Sequence, residues 1–332
     1  MKIIAAIIGM GIGEKHIEAI DNYKFSKVLI ICEKNKKKIK YFKKKYPKKI
    51  ITDDENLIFS NKEINLVSIA SYDDHHYRQI LKCFSTNKNF IIEKPMCLKF
   101  YQLKKINSLL RLNKKVKMFS NLTLRANSLF IYIKKSIDVK KIFYIEADYI
   151  WGRFFKLFEW RSKLVDYSLT LGAAIHMIDL VVWLLKDKPL TISSYGNNIS
   201  TKGTSFKKKS FMVYILKFKN NLIVKITANA TAPHEHFHEL KVYQNNKTFI
   251  NSIFGPYLIE RSNKKNVLKK INKNYPDKKN RRNLIRSFID YLLKNKNKNP
   301  ISHKEQIDLM SICFYADKSL KENKEQKINY LQ

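Results

Sequence analysis

The chain has 332 residues, 65 Lys or Arg against 28 Asp or Glu, a formal net charge of +37 and 45% hydrophobic residues. That length and apolar content exclude a disordered tail and leave room for two domains with sizeable cores. No stretch has the length of a transmembrane helix, and the first apolar run is too short for a signal peptide and lacks a small-residue cleavage site, so a cytoplasmic chain with no membrane partner is expected.

The first predicted element is the run Ile3 to Ile8, six apolar residues that break into Gly9-Met10-Gly11-Ile12-Gly13. This reads as a buried parallel strand entering a tight turn, with Ile17 and Ile20 at helical spacing behind it. Strand, glycine turn and helix N-terminus form an anion site, because bare N–H groups and the positive end of the helix face a phosphate. The spacing departs from G-x-G-x-x-G: Glu14 stands at the third glycine's place and Gly13 comes one residue early. Val28 to Cys32 is a second buried strand, ending in Glu33, a carboxylate at the distance expected to accept from a ribose 2′-hydroxyl, or else a strand-end surface acid.

Strands and helices then alternate. A lysine-rich helix with Ile39 and Phe42 on its inner side leads to Ile50-Ile51, and Leu66 to Ala70 is the next buried strand. Asp73 and Asp74 are placed to cap a helix that turns Tyr77, Ile80, Leu81 and Phe84 inward. Asn89 to Ile92, Tyr101 to Leu112 and Val116 to Ser120 continue as strand, helix and strand. This order predicts right-handed βαβ units and a doubly wound parallel sheet of Rossmann type, closing near Asn121: a first domain over 1–121.

Over 122–332 the rhythm changes. Ile142 to Tyr149, Ser210 to Phe218 and Leu222 to Thr231 alternate in period two, the last two joined by Asn220-Asn221. Leu240 to Tyr243 and Thr248 to Ile250 flank Asn245-Asn246. This predicts an α+β domain with a large, mostly antiparallel open sheet. Ala174 to Leu185 reads as a helix inserted before it, and Ser302 to Glu305 as a capping box ahead of a last helix over 307–320.

Four scattered cysteines, Cys32, Cys83, Cys97 and Cys313, make neither a disulfide framework nor a C-x-x-C zinc site. The basic excess is nearly all lysine and runs the whole chain, densest over 34–49 and 264–282. Solvated surface accounts for it better than a nucleic-acid partner, although the field can help attract an anionic substrate. His234, His236 and His238 share one face if that stretch is a strand; a structural or substrate-facing role is expected over a zinc site, so no metal is assigned.

Glu93-Lys94-Pro95 follows the strand Asn89 to Ile92. Strand ends line the cofactor crevice of a doubly wound sheet, so Lys94 is either a group touching a substrate hydroxyl or one more surface lysine in a turn. The marks Gly9 to His16, Ser71 to His76, Glu93-Lys94-Pro95, Trp160-Arg161 and His176 to Asp179 occur in this order. Together they resemble the glucose–fructose oxidoreductase / inositol dehydrogenase (Gfo/Idh/MocA) family, over nearly the whole chain. Members of that family move hydride between NAD(P) and a carbon of a sugar, cyclitol or sugar nucleotide.

The resemblance implies roles for individual residues. Gly9, Met10, Gly11, Ile12 and Gly13 hold the pyrophosphate, and Glu33 takes the adenosine ribose, favouring NAD over NADP. Ser71, Tyr72 and His76 line the crevice, Glu93 sits by the nicotinamide ribose, and Lys94, preceding a cis proline, is catalytic. Arg161 lies near nicotinamide and substrate, and His176 faces the substrate. The family's D-x-G-x-H pattern departs here: Gly172 stands in the place of the acid and Ala174 in that of the glycine. Asp179 is then the carboxylate left to orient the imidazole and meet the substrate. The base is His176, with Lys94 as hydrogen-bond donor, or Lys94 itself; an ordinary histidine pKa near 6.5 favours His176. The expected function is an NAD-dependent oxidoreductase of secondary alcohols, a homodimer or homotetramer through the C-terminal sheet. The alternative is an NAD-binding regulatory or interaction protein without turnover, to which the missing acid points.

Overall fold

The computed structural model describes residues 2–276, 280–294 and 298–332. Residues 277–279 of the lysine-dense stretch over 264–282 lie outside them. The chain begins with β1 (Ile3–Ile8), α1 (Gly13–Asp21), β2 (Ser26–Cys32), α2 (Lys36–Lys45), β3 (Ile50–Thr52) and α3 (Asn56–Ser60). It continues with β4 (Leu66–Ile69), α4 (Asp73–Ser85), β5 (Asn89–Ile92), α5 (Phe100–Leu112), β6 (Met118–Ser120) and α6 (Ser128–Ser136). Then come β7 (Ile142–Ile150), α7 (Trp160–Lys163), α8 (Ile175–Leu185), β8 (Thr191–Asn197), β9 (Phe211–Lys217) and β10 (Ile223–Asn229). The remaining elements are β11 (Phe237–Gln244), β12 (Lys247–Ser252), β13 (Gly255–Ser262), β14 (Lys265–Lys270), α9 (Asn280–Leu292), α10 (His303–Glu322) and β15 (Gln326–Lys327).

Two compact units result, Met1–Thr123 with Lys278–Ile307, and Leu124–Asp277 with Asp308–Gln332. The first boundary lies where the strand–helix alternation stops. The sequence reading ran the second unit unbroken from 122 to 332, whereas 278–307 belongs to the first. The reason is apolar burial: Phe288 is fully buried and stacks on Phe119 of β6 with ring centroids 5.3 Å apart. Polar contacts add to it. Tyr23 donates to Asp290 at 2.5 Å, Asn299 Nδ2 to the Met118 carbonyl at 2.8 Å, and Ser120 N to Gln306 Oε1 at 2.6 Å.

The first unit holds a six-stranded parallel sheet in the order β3-β2-β1-β4-β5-β6. Its central strands are apolar along their length because helices cover both faces of such a sheet. The order reverses between β1 and β4, and a doubly wound sheet opens its ligand crevice at the carboxyl ends of the strands there.

The second unit holds a nine-stranded sheet, β14-β13-β12-β11-β7-β10-β9-β8-β15. It is antiparallel except for the pair β10 and β7. Period-two alternation sends Ile145, Ala147 and Tyr149 of β7 to one face with Val224, Ile226 and Ala228 of β10. That face is buried; the opposite one carries Tyr144, Glu146, Lys225 and Lys241 half-exposed. The outermost strand β14, within the dense lysine stretch, is exposed throughout and carries three lysines, which guard a bare sheet edge against further pairing.

Phe288→Ala should cost about 3–5 kcal/mol, the range for removing a fully buried phenyl ring. Urea unfolding would check it, and a loss below about 1 kcal/mol would show that α9 is not anchored by this ring.

Candidate active site

In the first unit the site begins at Gly9, which has φ +89°, and a Cβ there would overlap the Ala70 and Ser71 backbone. Gly13 opens α1, and a Cβ on it would come within 2.8 Å of Ile7 Cγ2. The close helix–strand approach usually assigned to the third fingerprint glycine is thus made one residue early. This frees Glu14 to point outward, where it pairs with Lys45 at 2.6 Å. Gly11 faces open space. Glu33, past the end of β2, accepts from Met10 N and from Asn35 N, both at 3.0 Å. Gly9, Met10, Gly11, Glu33, Ser71 and Tyr72 are among the lining of one pocket of about 190 Å³. A turn with room for a backbone-bound pyrophosphate and a carboxylate beside it fits a dinucleotide.

Ser71 Oγ donates to Gln79 at 2.7 Å, and Tyr72 is exposed. His76 is fully buried, and its ring nitrogens meet the Pro95 carbonyl at 2.7 Å and the Ser71 carbonyl at 3.1 Å. It therefore links two strand-end loops from behind rather than lining the crevice. The Lys94–Pro95 peptide is cis.

Glu93 is the hub of this end of the sheet. His16 Nε2 meets its Oε1 at 3.0 Å, Asn121 Nδ2 donates to the same oxygen at 2.7 Å, and His16 Nδ1 meets Ser68 Oγ at 2.6 Å. Burial pushes this carboxyl up, but the His16 hydrogen bond and charge, the Arg281 guanidinium and the Asn121 amide outweigh it and hold it at about 2. Lys94 follows directly, half-buried.

In the second unit, His176 is the one residue between Leu171 and Val181 that is not buried. Its ring lies parallel to Tyr149 at 5.8 Å and nearly perpendicular to His238 at 6.1 Å. The β7–β11 register sets His238 opposite Tyr149. His236, two residues before His238, packs on both rings at 5.3 and 4.8 Å. Its Nδ1 faces the Ile150 and Trp151 carbonyls, so that nitrogen carries a proton. His234 lies before the strand and turns to the Glu235 carbonyl, so two of the three alternating histidines join the cluster. Among the described residues no group of His, Cys, Asp or Glu is arranged to hold a metal ion.

Arg161 stacks over Trp160 and Trp151, 4.2 and 5.1 Å from their ring centres. Burial pushes the Tyr149 phenol up to about 12, against the pull of Arg153 and Arg161. Asp179 is buried in a bidentate pair with Arg125, with contacts from 2.7 to 3.1 Å. It therefore anchors α8 through Arg125. Gly172 lies in a π-helical turn over Thr170–Ala174, where any Cβ would overlap the Tyr167 hydroxyl. The sequence reading did not single out Tyr149, Trp151, Tyr275 or Arg125. Tyr149 and Trp151 continue the period-two face of Ile145 and Ala147, a signal that was available; no local pattern marks Tyr275 or Arg125.

The family model "Oxidoreductase family, NAD-binding Rossmann fold" matches residues 3–121. "GFO/IDH/MocA C-terminal domain" matches 138–250, and the two matches cover more than half of the chain. The chain belongs to the Gfo/Idh/MocA oxidoreductase family. Its N-terminal unit is the NAD-binding Rossmann domain of that family. Among curated proteins none matches the chain. Of solved structures, it is similar to myo-inositol 2-dehydrogenase from Lactobacillus plantarum, with TM-score 0.84, 17% identity, and 99% of this chain and 100% of that one covered. It is also similar to scyllo-inositol dehydrogenase from Lactobacillus casei with NAD(H) and scyllo-inositol bound, with TM-score 0.82, 15% identity and 98% and 99% covered. A third likeness is a putative NADPH-dependent oxidoreductase from Desulfitobacterium hafniense, with TM-score 0.85, 16% identity and 98% of each chain covered. At these identities the likenesses show the fold. No helix among the described residues is long and apolar enough to cross a membrane.

A carboxyl held low in the folded state adds stability that is complete above its ordinary value of 4.5 and is lost as pH falls toward about 2. Glu93→Gln removes this acid-dependent part. The stability difference between wild type and variant, from urea unfolding, should narrow by about 1–2 kcal/mol between about pH 6 and pH 3; a constant difference would show that Glu93 is not held low.

Proposed function

We propose that the chain is an NAD-dependent dehydrogenase acting on a secondary alcohol of a small polyhydroxy compound: a sugar, a cyclitol or a sugar nucleotide. The observation that carries this reading is Lys94, set at the end of β5 beside a Glu93 fixed by hydrogen bonds from His16 and Asn121, with the Arg281 guanidinium 3.8 Å away, in an NAD-binding domain. Lys94 donates a hydrogen bond to the reacting hydroxyl, and His176, the one open residue on a buried helix segment, takes its proton. Bound NAD supplies the acceptor for the hydride leaving the same carbon. Glu33 accepts from the adenosine ribose and disfavours a 2′-phosphate, hence NAD over NADP. The glycine turn Gly9–Gly13 holds the pyrophosphate, with Ser71 and Tyr72 on the wall of the crevice. Arg161 supplies a cation toward substrate oxygens, and Asp179 serves at one remove by fixing α8. The likeness to the two inositol dehydrogenases supports a cyclitol substrate.

One observation favours a second reading, an NAD-binding regulator. At Gly172 Tyr167 fills the space a carboxylate side chain would need, so the helix bearing His176 lacks an acid there. A panel of myo-inositol, scyllo-inositol, free sugars and UDP-sugars separates the two, because the regulator binds NAD and forms no NADH with any of them.

Lys94→Ala should lower kcat by about 10²–10⁴-fold, the usual contribution of a positioned proton-handling group, while NAD affinity changes by less than about threefold. Steady-state kinetics with calorimetric NAD titration would test this, and unchanged turnover would sink the assignment. The half-open sheet face with Tyr144, Tyr243 and the Glu146–Lys225 pair is proposed as the self-association surface. Sedimentation should give a dimer or tetramer that Tyr144→Glu with Tyr243→Glu dissociates; a monomeric wild type would refute it.

A further inference from the structure

A general base acts through a ring held in one orientation and one tautomer, and in known catalytic sets a third group does the holding. The start of α8 supplies no such group. Gly172, Ala173 and Ala174 carry no polar side chain, Tyr167 excludes one at 172, and Asp179 is engaged by Arg125. The rings of Tyr149 and His238 lie against His176 instead.

His238 is itself firmly held. It is buried and lies opposite Tyr149 across the β7–β11 pair, and its carbonyl accepts from Asn251 Nδ2 at 2.7 Å. Its Nδ1 hydrogen-bonds the Tyr275 hydroxyl. The Tyr275 ring is packed between Phe130 at 5.2 Å and Phe237 at 5.1 Å. Burial pushes its phenol well above the usual range, so the hydroxyl keeps its proton. The hydrogen bond between the Tyr275 hydroxyl and Nδ1 holds the His238 ring in one orientation.

We propose that His238, oriented by Tyr275, is the positioning residue for His176 and fills the role that a carboxylate on α8 would otherwise play. The chain runs Phe130 and Phe237, which fix Tyr275; Tyr275, which fixes His238; and His238, which with Tyr149 fixes His176. The proposal rests on the reading of His176 as the proton acceptor.

The test uses the full chain loaded with NAD and labelled with 15N at histidine, with His176 signals assigned by their loss in His176→Gln. In the wild type the two His176 ring nitrogens should show the well-separated shifts of one fixed tautomer. In His238→Phe they should move toward a common average, with kcat toward myo-inositol down about 10–100-fold and KM within about threefold. His238→Gln, whose amide nitrogen reaches the place of Nε2, should recover more activity than His238→Asn, whose amide reaches that of Nδ1. Tyr275→Phe should give a smaller loss in the same direction, and serves alone if His238→Phe fails to fold. Unchanged His176 shifts in both His238→Phe and Tyr275→Phe would overturn the proposal. If the wild type turns over no member of the substrate panel, the enzymatic reading fails, while the nitrogen shifts still decide whether His238 positions His176.

Discussion

One carboxylate fixes the working end of the first sheet. Glu93 stands where β5 ends, and it is bound by His16 from the first helix and Asn121 from the end of β6. His16 reaches on to Ser68 in β4. Four segments far apart in sequence thus meet at a single anionic group, and the residue that follows is Lys94. A partly buried carboxylate is costly unless its hydrogen bonds are made, so its neighbours cannot be exchanged independently. The network also runs back toward the glycine turn. His16 lies one turn into α1, which starts at Gly13, so the helix that opens at the glycine turn also clamps the strand end bearing Lys94.

The second unit solves a similar problem with rings rather than charge. Strand register brings Tyr149 and His238 together on the covered face of the sheet, because β11 pairs antiparallel with β7, and His236, just before β11, packs on both rings. α8 lies on that face, and the buried Arg125–Asp179 pair ties the same helix to the segment before α6. Removing one partner of such a pair leaves an uncompensated charge, so Arg125 and Asp179 hold α8 in place as a unit. His176 is then the polar residue left partly open on an apolar helix.

Most of the first unit was legible because its signals are local. Runs such as Ile3 to Ile8 and Leu66 to Ala70 announce buried parallel strands, and the glycine turn and Glu93-Lys94-Pro95 sit at their ends. The return of α9 to this unit was not legible, since Phe288 stacking on Phe119 joins residues 169 positions apart and leaves no local mark. The misplaced third glycine was legible as a departure from the pattern but not as a solution; only the contact of Gly13 with Ile7 shows that the close approach has moved one residue forward. The three alternating histidines were read as one face of a strand. The strand begins at Phe237, after both His234 and His236, so of the three only His238 lies in it, and His236 joins the cluster by packing on Tyr149 and His238.

In a chain with 65 basic and 28 acidic residues, the placement of the acids carries more information than the excess of lysine. At the surface, an acid among so many cations is rarely alone: Glu146 is held between Lys225 and Lys241, and Glu260 between Lys247 and Lys269. Exposed pairs of this kind add little stability, and the cations need no specific partner to account for them. The acids drawn away from the surface differ, because each must repay the loss of water. Glu93 does so through His16 and Asn121, Asp179 through Arg125, and Asp317, pushed up to about 6 by burial, through Thr170 and Ser168. Glu33, by contrast, spends its hydrogen bonds on two backbone N–H groups at the mouth of the glycine turn, with Lys38 3.9 Å away. Two backbone donors fix a carboxylate without using all of its lone pairs. An acid held in this way at the end of β2 keeps capacity to accept further hydrogen bonds, which sets it apart from Glu93 and Asp179, whose partners are side chains of distant elements.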